Sequence, residues 1–155
     1  YYDEAIEAHS KYIAAYEKDY VGYYNRGLAN YHQENYKHAI VDFEKAATVD
    51  DSDSDIYFKL AQCHDNSGKD DEAMSFYDKA IEMNPDNAEY YDARAALFVK
   101  NGNYERAIAD SKKSLQLYPN DCKVYMSMST WYRELGEIEN AQRSRATGIE
   151  MGCED

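Results

Sequence analysis

Residues 54–87 read SDIYFKLAQCHDNSGKDDEAMSFYDKAIEMNPDN. Tyr57, Leu60, Ala61 and His64 fall at i, i+3, i+4 and i+7, one face of a helix. After the Asn66-Ser67-Gly68 break, Ala73, Phe76, Tyr77, Ala80, Ile81 and Met83 repeat that period. Pro85 predicts the end of the second helix, because its ring pushes Asn84 out of the α region. The stretch is a helix pair with a tight turn.

Outward from this stretch the pattern recurs in both directions. Tyr23, Tyr57, Tyr91 and Tyr125 are each 34 residues apart, and Ala5, Ala39, Ala73, Ala107 and Ala141 keep the same step. Gly27, Ala61, Ala95 and Ser129 form a column of small residues. Ile13, Ala47, Ile81, Leu115 and Ile149 form an aliphatic or small one. The units are 20–53, 54–87, 88–121 and 122–155, and residues 1–19 are the second half of an earlier one. The chain is therefore expected to be one repeat domain over 1–155, excerpted from a longer protein. Gly68, Gly102 and Gly136 mark the turns; in the first unit Glu34 replaces the glycine, and Asn35 is expected to take the turn conformation instead. The small columns let paired helices approach closely. One pair cannot bury its apolar face, so pairs must stack.

Composition narrows the function. The 155 residues carry 17 Lys and Arg against 30 Asp and Glu, a formal net charge of -13. A phosphate-binding domain gains affinity from a basic face, so neither nucleic acid nor an anionic membrane is an expected partner. Hydrophobic residues make up 44%, too many for a disordered acidic tail. The longest apolar run, Ala95 to Val99, is far short of the roughly 18 residues a bilayer crossing needs. Cys63, Cys122 and Cys153, odd in number and widely spaced, do not describe a disulfide framework or a zinc knuckle. Free thiols in a reducing, cytoplasmic setting are expected.

The spacings that carry catalysis or metal binding are missing. Asp51-Ser52-Asp53-Ser54-Asp55 opens like a calcium loop, but Ile56 stands where the turn requires Gly and Gln62 where a bidentate Glu belongs. These acids are expected to cap the following helix. His9, His32, His38 and His64 form no metal motif. His9 shares a column with Phe43 and Tyr77, and His64 shares one with Phe98 and Tyr132, so both are expected to pack. Cys63 and His64 are helix neighbours that point apart and make no dyad. No cofactor, metal or enzymatic activity is expected.

The series Tyr57…Leu60-Ala61…Gly68…Ala73…Tyr77…Ala80…Pro85, with its 34-residue length, resembles the tetratricopeptide repeat over the whole chain. The resemblance implies an all-α fold: a right-handed superhelix, or solenoid, of about nine helices in antiparallel pairs. One correlation lies within the repeats. Arg26 and Arg94 at the seventh position accompany Asp42 and Asp110 at the twenty-third, where the other units have Leu60 with Phe76 and Met128 with Ser144. Ion pairs Arg26–Asp42 and Arg94–Asp110 are expected.

The resemblance also implies a concave groove lined by the second, fifth, ninth, twelfth and thirteenth residues of each first helix. Of these, Tyr24, Leu28, Tyr31, Phe58, Gln62, Asp65, Glu89, Asp92, Lys123 and Arg133 are the expected binding residues. Tyr24, Tyr31 and Phe58 would anchor apolar side chains, and the acids would select a segment carrying Lys or Arg. No frame of the repeats offers the Asn and Lys set of a carboxylate clamp. The implied function is a non-catalytic protein–protein interaction scaffold, an adaptor for a peptide or protein segment. The alternative is a structural spacer or self-associating segment. Ile6, His9, Tyr12, Ile13 and Tyr16 of the first helix would then form a homodimer face.

Overall fold

The computed structural model describes residues 1–154; Asp155, which closes the last 34-residue unit, lies outside them. Among the described residues there are nine α-helices and no strands: α1 Tyr2–Ala15, α2 Tyr20–His32, α3 Tyr36–Val49, α4 Ser54–Asn66, α5 Asp70–Met83, α6 Ala88–Lys100, α7 Tyr104–Leu117, α8 Cys122–Glu134 and α9 Ile138–Glu150. The chain divides into two compact units, Tyr1–Asn84 and Pro85–Asp155. In the first, α2 pairs with α3 and α4 with α5, while α1 packs on α2 and α3 on α4. In the second, α6 pairs with α7 and α8 with α9, and α7 packs on α8. The all-α solenoid class expected from the sequence is the class observed.

The first helix of each repeat starts on the repeat's first residue, and a side chain fixes it there. Asp19, Asp53, Asn87 and Asp121 accept hydrogen bonds from the backbone N–H groups of Val21, Asp55, Glu89 and Lys123 at 2.9, 2.9, 3.1 and 2.9 Å. Each satisfies one orphan donor, worth about 1 kcal/mol. The acidic run at Asp51–Asp55 is thereby explained as a helix start. α5 stops at Met83, with Asn84 extended ahead of Pro85.

The turns show one departure from expectation. Gly68, Gly102 and Gly136 have φ of 71, 71 and 75°, and in the first repeat Glu34 itself takes φ 60° while Asn35 stays at -84°. The reason is the hydrogen bond that closes the helix. The N–H groups of Asn35, Lys69, Asn103 and Glu137 reach back to the carbonyls of Asn30, His64, Phe98 and Tyr132 at 2.8–2.9 Å. That closure requires a left-handed residue just before the donor, so the position outweighs the residue preference.

The helix pairs meet at the small columns. Ala39, Ala61, Ala73 and Ala107 are fully buried, and Ala95 nearly so. At Gly27 an added Cβ would stand 2.8 Å from the Phe43 ring, so only glycine admits that crossing. The expected ion pairs bridge the same interface. Arg26 Nη2 lies 2.6 Å from Asp42 Oδ1, its Nε donates to both carboxylate oxygens, and Asn30 Nδ2 donates to Asp42 at 3.2 Å. Arg94 holds Asp110 through Nε and Nη2, each at 2.8 Å. In the second repeat His64 stacks on Phe76 at 5.3 Å, and Leu60 is buried.

Two other expectations are corrected. Cys122, the first residue of α8, is bonded to Cys153 beyond α9, with Cα atoms 5.8 Å apart. Helix pairing brings the two ends of the last repeat together, a proximity no sequence spacing displays. Among the described residues only Cys63 is free, and it is buried, so the cysteine count ceases to favour a reducing compartment. In α1, Ile13 is 9% exposed because it packs on α2, where a Cβ on Gly22 would meet it at 2.9 Å. Tyr12 and Tyr16 remain exposed.

Two outcomes follow for stability. Asp42→Ala strands a half-buried guanidinium and Asn30, and should cost about 3 kcal/mol. The double variant Arg26→Leu, Asp42→Phe, copying Leu60 and Phe76, should fall within about 1 kcal/mol of the native chain; urea unfolding of the three proteins decides. Reducing Cys122–Cys153, which spans 31 residues, should lower stability by about 3 kcal/mol. Thermal melts with and without dithiothreitol measure that loss.

Candidate functional site

In the first unit the expected residues lie on α2 and α4. Tyr24 and Leu28 are half-buried. The Tyr24 ring meets Phe43 edge-on at 5.6 Å, which holds it upright from within its own helix pair. Tyr31 stands edge-on to His32 and Tyr36 at 5.6 and 5.7 Å. From α4, Asn66 Nδ2 approaches the Tyr31 hydroxyl at 3.4 Å and Lys59 Nζ lies 5.7 Å from its ring centre. Lys59 also donates to Gln62 at 2.9 Å. Burial raises the Tyr31 hydroxyl above its ordinary value. Tyr31, Lys59, Gln62 and Asn66 thus form one amphipathic cluster, with Asp65 half-buried nearby on α4.

Phe58 does not join it as an anchor. It is 2% exposed and packs against Tyr77 at 5.9 Å, so it supports the face from beneath. The family pattern places Phe58 in the expected groove, at the fifth position, but Tyr77 of α5 packs against its ring. Lys59 escapes a sequence reading because it sits at the sixth position, between those the family pattern assigns to the groove.

In the second unit, Asp92 of α6 and Lys123 of α8 line one cleft of about 300 Å³. Ala95, Ala96, Val124, Ser127, Asp121 and Trp131 complete most of its wall. The Asp92 carboxyl is held above the usual carboxylate range, first by burial and then by Asp121, Glu89 and Asp110, although it accepts a hydrogen bond from Ser114. Glu89, Lys123 and Arg133 are exposed, and neither Glu89 nor Arg133 lines this cleft. Trp131 was not among the expected residues. Its signal in the sequence is that it is the one tryptophan of the chain.

The groups with catalytic potential are turned inward. Burial pushes the Cys63 thiol up to about 12, leaving it protonated at neutral pH. Among the described residues no three His, Cys, Asp or Glu side chains are grouped to hold a metal, and no helix is long and apolar enough to cross a membrane. His64 is 7% exposed, and its Nδ1 has no hydrogen-bond partner. Burial, followed by Lys69, lowers its pKa from the ordinary 6.5. The folded state therefore holds fewer protons on this group than the unfolded state below that value, and stability falls as pH drops through it. His64→Phe, copying Phe98, should make the loss of Tm between pH about 7.5 and about 5 smaller than in the native chain; paired melts at the two pH values check this.

Comparisons with known proteins match this geometry. Three family models, each described as Tetratricopeptide repeat, match residues 2–55, 31–97 and 88–121. A search of curated proteins by sequence gives no match. Among solved structures, a crystal structure of MamA aligns with a TM-score of 0.91 at 20% identity, over 97% of this chain and 88% of that one. MamA 41-end from Desulfovibrio magneticus RS-1 aligns at 0.87 and 15%, over 97% and 85%. YrrB, described as a TPR protein with an unusual peptide-binding site, aligns at 0.81 and 18%, over 97% and 78%. At these identities the likeness is one of fold. With the matched models running from residue 2 to residue 121 and the helix pairs continuing in the same register to α9, the chain belongs to the tetratricopeptide repeat family.

Proposed function

We propose that this chain is a non-catalytic interaction scaffold that binds a peptide or protein segment along the faces of its first helices. The observation that carries this reading is the cluster on α2 and α4. Tyr24, Leu28 and Tyr31 are half-buried rather than sequestered, and Lys59, Gln62 and Asn66 place donors and acceptors beside them. A rigid aromatic held by neighbours, with polar groups at its edge, is the arrangement from which binding hot spots are built. The net charge of -13 favours a segment with Lys or Arg, because opposite charge steers encounter. The peptide-binding site described for YrrB, a protein of the same fold, is in keeping with this use.

A second reading, self-association, draws on α1. The Tyr12 and Tyr16 rings meet tilted at 4.8 Å and are 37 and 59% exposed. On this reading the chain is a spacer that assembles through α1.

The test is capture of a partner, its identification by mass spectrometry, and titration of the recovered segment by calorimetry. Leu28→Ala, Tyr31→Ala should weaken binding by at least about 2 kcal/mol while leaving the helical circular dichroism intact. Unchanged affinity in that variant, together with a mass that rises with concentration, would move the assignment to self-association.

A further inference from the structure

The second unit contains a cleft whose chemistry differs from that of α2 and α4. Its walls combine two carboxylates, Asp92 and Asp121, an apolar floor of Ala95, Ala96 and Val124, and the indole of Trp131. Among the described residues Ser114 favours the charged form of Asp92 and no cation is among the groups that do, while three further carboxylates disfavour it. Asp110 is already engaged by Arg94. Asp121, which also lines the cleft, accepts the N–H of Lys123 through Oδ1 alone. Lys123 lines the same cleft and is exposed. A half-buried carboxylate without a counterion is a standing cost to the fold. The ligand that relieves it is a cation with an apolar stem.

We propose that this cleft receives a lysine or arginine side chain of the bound segment, with its charged head between Asp92 and Asp121 and its methylenes over Ala96 and Val124 against Trp131. The volume of about 300 Å³ holds one long side chain, since it equals roughly ten waters at about 30 Å³ each. An aromatic face beside a cation adds a favourable quadrupole interaction. The two carboxylates outnumber Lys123 in the lining, so the cleft favours a cation. This assignment rests on the peptide-binding reading, for which it names the side chain recognised.

Because Trp131 is the single tryptophan, its emission reports on this cleft directly. The native chain is titrated with the blocked tripeptides acetyl-Ala-Lys-Ala-amide and acetyl-Ala-Arg-Ala-amide, and with the norleucine and glutamate analogues as controls. The Lys and Arg peptides should give a saturable emission change, with a dissociation constant on the order of millimolar for one side chain. The norleucine and glutamate peptides should give none. Asp92→Asn, which keeps the acceptor for Ser114, should weaken binding about tenfold, as should about 0.5 M salt. The same variant should raise the neutral-pH Tm, whereas a residue that serves packing alone would lower it.

Norleucine titrating like lysine, no saturable change, or undiminished binding by Asp92→Asn would each overturn the assignment. Partner affinity that still depends on Leu28 and Tyr31 would then leave the interaction scaffold standing. Loss of both dependences would remove the peptide-binding reading as well.

Discussion

Close approach of paired helices at Ala39, Ala73, Ala107 and Ala141 is the constraint on which the rest of the structure depends. These alanines are 4% exposed or less, and the opposing column of Gly27, Ala61, Ala95 and Ser129 is equally covered. With no bulk between the axes, the larger residues on either side interlock: Phe43 against Gly27, and Tyr77 against Phe58. Interiors are packed to crystal-like density, so a side chain inserted at such a crossing displaces a whole helix. Conserving that spacing at every 34th residue lets each pair present the same flanks to the next within its unit.

Polar groups in the interface follow from the same geometry. In the first and third repeats the seventh residue, on the first helix, faces the twenty-third, on the second. Arg26 with Asp42 and Arg94 with Asp110 fill that space by bidentate hydrogen bonding. Leu60 lies buried at position seven of the second repeat, while Phe76 at position twenty-three carries the His64 stack. Charged and apolar solutions occupy equivalent sites because a fully hydrogen-bonded pair and a well-packed apolar pair differ little in net free energy.

The proposed recognition draws on what the crossings leave outside. The first helices expose Tyr31 and the polar side chains of α4 in one unit, and Asp92, Asp121 and Trp131 in the other. The two faces differ in character: aromatic with a lysine in the first, acidic with an indole in the second. The disulfide from Cys122 to Cys153 ties the start of α8 to the chain beyond α9, and so holds the pair that carries Trp131.

The helix pairs, their boundaries and the two ion pairs were legible in the sequence because each rests on local periodicity or on a fixed offset within the repeat. Gly68 and its equivalents, Pro85, and the Arg and Asp columns carry their own physical reason in residue type and spacing. Other features belong to the tertiary structure. Whether Phe58 is an anchor or a support depends on which side α5 closes, and the left-handed Glu34 is imposed by a hydrogen bond to Asn30. The bonding of Cys122 to Cys153 requires two helix ends that lie 31 residues apart in sequence to meet in space. The cleft beside Trp131 arises the same way, from three helices whose side chains converge only after packing. Period and offset are properties of one chain segment, whereas burial and convergence are properties of several segments at once; the sequence therefore determined the repeat, and the tertiary structure alone decided the surface.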